Sequence, residues 1–125
     1  MNLDEKISEL KSAKTPYCIA IIVKSQGSSP RHVGTKMIVT AESSFGTIGG
    51  GALEEKVIED ARKQMRLRTS TCKNYPLGAM LGQCCGGEVE IFFEPNFPKK
   101  PMFVFGAGHI AEHLCPMLME LGFYV

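Results

Sequence analysis

The chain has 125 residues, of which 44% are hydrophobic and 22% are charged, and its formal net charge is +1. These values are typical of a globular protein and exclude a disordered or collagen-like chain. The near-neutral charge argues against a nucleic-acid partner, because phosphate backbones attract a surplus of Lys and Arg. The apolar run from Tyr17 to Val23 is too short to span a bilayer. The first residues are partly acidic and include no apolar stretch, so we expect no signal peptide, no membrane attachment and a cytoplasmic location.

Hydrophobic spacing predicts alternating helices and strands in the first three quarters of the chain. The predicted elements are a helix over 3–13, strands over 17–23, 36–40 and 44–48, a helix from the glycines at 49–51 to about residue 68, and a half-exposed strand over 88–94. The run Tyr17 to Val23 is apolar at every position, which is typical of a strand buried on both faces. We therefore predict an α/β domain with a mixed sheet and flanking helices.

A proline-rich segment follows the last of these strands. Pro95, Pro98 and Pro101, with two lysines between the last two prolines, predict a stiff linker. We therefore divide the chain into an N-terminal domain, 1–97, and a second unit, 101–125.

The second unit carries a glycine turn between a predicted strand, 103–105, and a predicted helix, 110–121. Gly106, Gly108 and Ala111 match the G-x-G-x-x-G/A dinucleotide fingerprint, and His109 lies within it. The acidic residue that would confirm the fingerprint is expected about 20 residues further on. We interpret this unit as the start of a truncated Rossmann-like domain and do not expect this chain to bind NAD(P).

Three further segments combine glycines with groups suited to a cofactor. Ser28, Ser29 and Arg31 follow Gly27, and Gly49, Gly50 and Gly51 precede a helix, where free N–H groups favour an anion. The third segment places a side-chain amide and two thiols among glycines; it comprises Gln83, Cys84, Cys85, Gly86 and Gly87. Each segment begins or ends a predicted strand, so we expect all three at one edge of the sheet. Each also has a plain structural interpretation, as a turn or as a site of close packing.

The order of these motifs resembles the XdhC/CoxI family of xanthine dehydrogenase accessory proteins. The resemblance rests on five stretches: Gly27–Arg31, Gly34–Val39, Gly46–Glu54, Leu81–Pro95 and Val104–His109. It implies an N-terminal domain followed by a Rossmann-like domain. It also implies a maturation factor, or chaperone, that binds molybdenum cofactor, assists its sulfuration with a cysteine desulfurase and delivers it to a xanthine-dehydrogenase-type client enzyme.

The chemistry of the motifs is compatible with that cofactor. Molybdopterin carries a phosphate, which suits Gly49–Gly51 and Arg31. A thiolate is a soft neighbour for molybdenum, and we choose Cys85 because the glycine pair beside it leaves room for a ligand. We expect no catalytic residues, since the protein is an accessory factor and not an enzyme, and we expect a homodimer.

Two alternatives remain. One is an NAD(P)- or flavin-dependent oxidoreductase that uses the turn Gly106–Ala111. The other is a structural metal module that uses Cys72, Cys84, Cys85 and His32. The metal module lacks recognised ligand spacing, and the five cysteines include no C-x-x-C pair, which favours free thiols.

Overall fold

A computed structural model describes residues 1–27, 32–78 and 87–125. The elements, in chain order, are α1 (Leu3–Ser12), β1 (Tyr17–Gly27), β2 (Lys36–Val39), β3 (Ser44–Gly46), α2 (Gly51–Leu67), β4 (Thr71–Pro76), β5 (Gly87–Asn96) and α3 (His109–Glu120). They confirm the predicted α/β class and, within a few residues, the helices and strands predicted up to Asn96. Within these ranges, no helix combines the length and the apolar character that a bilayer crossing requires.

The sheet has five strands in the order β3-β2-β1-β5-β4. Each pairing among the described strands is antiparallel, so the predicted mixed sheet is wrong in this respect. Apolar periodicity reports which residues are buried and carries no information about strand direction. β5 lies inside the sheet, between β1 and β4. Val89, Ile91 and Phe93 are fully buried on one of its faces, and most residues on the other face are partly buried.

Helix α2 packs on one face of this sheet and forms the main core. Its residues Leu53, Val57 and Ala61 are fully buried, as their four-residue spacing predicts. They join buried side chains of β1 and β5, including Ile22 and Phe93, in one hydrophobic cluster. Burying a side chain of this size stabilises the fold by about 1.5–3 kcal/mol.

Helix α1 covers the opposite face of the sheet. Leu10 packs with Tyr17 and Ile38 in a second hydrophobic cluster. Successive side chains of a strand point to opposite faces of the sheet, so they enter this cluster and the main core in turn. The helix begins at a capping box, in which the Glu5 backbone N–H donates to Asn2 Oδ1 at 2.8 Å and the Asn2 N–H donates to Glu5 Oε2 at 3.1 Å. The two helices explain why the run Tyr17 to Val23 is apolar on both faces over most of its length.

The segment after β5 differs from the sequence prediction in two respects. Pro95 was assigned to the linker but lies within β5, opposite Cys18. The strand predicted over 103–105 is wrong, because residues 102–107 have no regular structure. A strand needs a neighbour along its length, and here one parallel bridge joins Pro101 to Tyr124.

Helix α3 forms as predicted, with Pro116 inside it and no buried residue. The Met102 N–H donates to the Tyr124 carbonyl at 2.8 Å, and the Tyr124 N–H donates to the Lys100 carbonyl at 2.9 Å. The bridge runs parallel, as a strand–helix–strand unit requires. The division at residues 97–101 and the Rossmann-like character of this unit stay predictions.

Candidate functional site

The ends of β1 and β5 form the centre of the candidate site. Gly27, the last residue of β1, pairs with Gly87, the first residue of β5. The last residue of β4, Pro76, pairs with Glu88 beside them. Gly27, which precedes residues 28–31, and Gly87, which follows residues 79–86, therefore lie side by side at one end of the sheet.

Most of the residues predicted to bind molybdenum cofactor lie in those two segments. Ser28, Ser29, Arg31, Gln83, Cys84, Cys85 and Gly86 fall outside the described residues. Their roles stay predictions, and so does the role of Cys85 near molybdenum. Gly87 is described and has the pairing given above.

The third glycine segment lies toward the same end of the sheet. β1 and β3 are both antiparallel to β2, so they run in the same direction, and β3 ends at Gly46. Gly49, Gly50 and Gly51 then lead into α2, and α2 returns the chain to the start of β4. We call the ends of β1, β3 and β4, the start of β5 and the glycines 49–51 the glycine end. The tertiary structure thus brings the flanks of all three segments to one end, as expected from the sequence.

A carboxylate of the chain itself already occupies the start of α2. The Gly50 N–H donates to Glu54 Oε2 at 2.9 Å, and Thr47 Oγ1 donates to the same oxygen at 2.6 Å. The Gly49 N–H donates to Thr47 Oγ1 at 3.1 Å. A negative charge is favourable here because unpaired N–H groups and the helix dipole concentrate positive potential at a helix N-terminus. Sequence reasoning missed Glu54, although an acidic residue in the first turn is the usual signal for such a cap.

The glycines that precede or begin α2 differ in how much space surrounds them. A Cβ built on Gly50 or Gly51 would meet no heavy atom within 4 Å, although both residues have positive φ. Gly46 is different, because its Cβ would lie 3.1 Å from both Leu3 Cδ2 and the Lys36 carbonyl oxygen. Gly46 is therefore needed for packing, whereas the space beside Gly50 and Gly51 is open.

The turn that resembles a dinucleotide site begins α3 as expected. Gly106 has φ of +115°, which favours glycine, and Gly108 is the N-cap of the helix. His109 is fully exposed, and its Nδ1 lies 3.7 Å from Glu112 Oε2. Ala111 is half-buried. The turn is therefore open to solvent.

The described thiols differ widely in environment. Cys18 is fully buried in β1, and burial is the main reason that its pKa is raised to about 12. Cys72 lies exposed on β4, and Cys115 is partly exposed on α3. In residues 1–27, 32–78 and 87–125, no three His, Cys, Asp or Glu side chains form a group that could hold a metal ion.

The sequence also did not reveal a buried polar network around Asp60. This carboxylate is only 5% exposed; its Oδ2 accepts from Tyr75 Oη at 2.6 Å and from Lys73 Nζ at 2.9 Å. Burial by itself would raise the pKa of Asp60, but hydrogen bonds from Tyr75 and Lys73, with the nearby ammonium charges of Lys73 and Lys56, outweigh burial and lower it. Burial and the Asp60 carboxylate both raise the pKa of Tyr75. The network joins α2 to β4 and is structural.

Together these features define an α/β domain with helices on both faces of an antiparallel sheet and glycine segments at one end. The family model for the XdhC and CoxI family matches residues 10–76. The chain belongs to the XdhC and CoxI family.

The chain is also similar to a curated protein and, in fold, to a solved structure. The chain is similar to the Escherichia coli (strain K12) protein YqeB, which is described as uncharacterized; identity is 34% over 128 residues, covering 98% of this chain and 24% of YqeB. The chain thus spans about a quarter of the length of that relative. Its fold is similar to a crystal structure described as a xanthine dehydrogenase from Bacillus halodurans, with a TM-score of 0.65, 24% identity and coverage of 76% of this chain and 30% of the other.

Proposed function

We propose that this chain is the cofactor-holding part of an accessory factor for molybdenum enzymes. In this role it binds molybdenum cofactor, assists sulfuration of the cofactor together with a cysteine desulfurase, and supports insertion into a xanthine-dehydrogenase-type enzyme. Membership of the XdhC and CoxI family supports the accessory role. The pairing of Gly27 with Gly87 is the observation that carries the proposal. Gly27 directly precedes the serine-arginine segment, residues 28–31, and Gly87 is the last residue of the double-cysteine segment, residues 83–87.

The proposed roles of the residues follow from their chemistry. Arg31 and the N–H groups of Gly49–Gly51 bind the phosphate, which requires that the Glu54 carboxylate give up its bond to the Gly50 N–H. Cys85 lies beside the molybdenum as a soft sulfur neighbour. When bound, the cofactor supplies the molybdenum centre and its terminal sulfur ligand. Ser28, Ser29 and Gln83 hydrogen-bond the polar edge of the pterin, and the glycines beside Cys84 and Cys85 make room for it.

In this proposal the protein holds and transfers a cofactor and has no turnover of its own. The client enzyme, the cysteine desulfurase and a second copy of the chain are the proposed partners. The alternative is an oxidoreductase that uses the turn Gly106–Ala111. The positive φ of Gly106 and the position of Gly108 at the start of α3 are its support.

Purification from cells that make the cofactor tests the proposal. We expect the folded protein to carry molybdenum and a pterin, and the emptied protein to bind isolated cofactor with saturable affinity. Protein from cells that cannot make molybdopterin is the control and should carry neither. A folded full-length protein that binds no cofactor in either experiment would overturn the proposal.

A further inference from the structure

We propose that a cavity at the end of the sheet opposite the glycine end binds a small organic anion with a flat apolar body. The cavity has a volume of about 750 Å³ and lies between α1, the turn from β2 to β3, the second half of α2 and Phe97. This volume is within the range of small-molecule sites, roughly 300–1,000 Å³. Among the described residues, neither the glycines 49–51 nor the turn before α3 contributes to its lining.

The position of the cavity follows from the strand register. Thr15 and Pro16 come directly before β1, Thr40 comes directly after β2, and Phe97 comes directly after β5. These are the strand ends remote from Gly27 and Gly87, because β2 and β5 are antiparallel to β1. A ligand here is therefore separate from a cofactor at the glycine end.

Apolar side chains form much of the wall. Leu10, Phe45, Met65 and Phe97 line the cavity, which gives a flat ligand two aromatic rings to pack against. Lys6 Nζ lies 3.8 Å from the centroid of the Phe45 ring. The Arg68 guanidinium lies 4.1 Å from the centroid of the Phe97 ring. A positively charged group therefore lies close to each of the two aromatic rings.

The side chains that line the cavity carry more positive than negative charges. Lys6, Arg62 and Arg66 are the cations and Glu42 is the carboxylate. Glu9 neutralises part of the Lys6 charge at 3.1 Å. Arg62 and Arg66 are four residues apart on one face of α2, an arrangement of like charges that is unfavourable unless an anion lies between them or nearby.

One of these cations is held in place by the backbone. Arg62 Nε donates to the Thr40 carbonyl at 3.0 Å, and this is its one hydrogen bond among the described residues. A hydrogen bond also closes the turn, in which Thr40 Oγ1 accepts from the Ser43 N–H at 3.0 Å. The terminal NH₂ groups of Arg62 have no hydrogen bond to the described residues and can bind an oxyanion. A guanidinium with a fixed position binds a carboxylate or sulfonate well, because little side-chain freedom is lost on binding.

Backbone amide NMR spectra of the 125-residue chain, titrated with naphthalene sulfonate, test the proposal. We expect saturable shifts at Ala41–Ser43, at Arg62–Arg66 and at Phe97. Naphthalene methanol, which has the same rings without the charge, should bind about tenfold more weakly or worse.

Two exposed residues of α2 provide a matched pair of variants. Arg66→Glu should weaken binding of naphthalene sulfonate about tenfold or more. Lys63→Glu makes the same change of charge outside the cavity lining and should leave the affinity within about twofold. Equal effects of the two variants would overturn the proposal, as would equal affinity for the charged and neutral probes, or shifts confined to residues 101–125 or the glycine end.

Discussion

Tyr75 in β4 donates a hydrogen bond of 2.6 Å from its hydroxyl to the buried Asp60 carboxylate in α2. The bond links the helix that covers the main core to an edge strand of the sheet. Lys73, on the same strand, adds a second bond at 2.9 Å, so a buried charge is both paired and hydrogen-bonded.

Tyr75→Phe should therefore lower the free energy of unfolding by about 1–3 kcal/mol near neutral pH, because the buried carboxylate loses a donor. The lowered pKa of Asp60 means that the folded state favours the carboxylate. Its contribution to stability is present above the unfolded pKa, about 3.9, and is lost as the pH falls through the folded value. Urea unfolding at neutral and acidic pH measures both effects.

The difference between the wild type and Tyr75→Phe should thus shrink in acid. Tyr17→Phe is the control, since Tyr17 is also buried and its hydroxyl has no hydrogen-bond partner among the described residues. Equal losses in the two variants, or a difference that grows as the pH falls, would show that the Tyr75–Asp60 bond does not contribute as described.

Glu54→Gln should strengthen binding of isolated molybdenum cofactor by roughly 1 kcal/mol, about fivefold, if the phosphate binds at the start of α2. The substitution removes a negative charge from the atom that now accepts the Gly50 N–H. Equilibrium titration of both proteins measures the change. Glu55→Gln, at the next and exposed position, should leave the affinity unchanged. Unchanged or weaker binding by Glu54→Gln would place the phosphate elsewhere.

Cys85→Ala should reduce retention or sulfuration of the cofactor more than Cys72→Ala. Cys85 adjoins the glycine pair of the double-cysteine segment, whereas Cys72 lies exposed on β4 and outside every motif. The molybdenum and pterin content of each purified variant is the measurement, with circular dichroism to confirm folding. Equal retention and equal sulfuration in both variants would remove the special role assigned to Cys85.

Arg31→Ala should weaken cofactor binding by roughly 1.5–3 kcal/mol, about tenfold or more, because an arginine–phosphate contact is charge-assisted. Titration at low salt keeps the electrostatic contribution large. Lys63→Ala removes one positive charge from an exposed position on α2 and serves as the control. If the two variants retain equal affinity, Arg31 contributes only general surface charge.

The 125-residue chain should not bind NAD, NADP or ATP with useful affinity. The turn at Gly106 and Gly108 supplies only a site for phosphates, and no regular strand precedes it within residues 102–107. Calorimetric titration with the three nucleotides is the test. Micromolar binding would show that the domain boundary is misplaced, and it would make the oxidoreductase alternative the better interpretation.

The sequence predicted a common location for the glycine segments but none of the contacts around them. The glycine segments were expected at one sheet edge, and the pairing of Gly27 with Gly87 agrees with that expectation. The Glu54 cap was missed, because its bonds to Thr47 and Gly50 depend on the backbone path between β3 and α2. The cavity beside Arg62 was missed as well, because its lining comes from four separate parts of the chain.

The sequence by itself determined the helices and the buried strands, because their signals are local. Leu53, Val57 and Ala61 recur at the helical period, and the apolar run from Tyr17 reports burial on both faces. Tertiary structure alone decided the strand directions, the Asp60–Tyr75 bond and the existence of β4. In β4 only Tyr75 is buried, so a strand forms there because β5 supplies its hydrogen-bond partners. The same reason explains why the apolar residues 103–105, which pair with no strand in the described part of the chain, remain without regular structure.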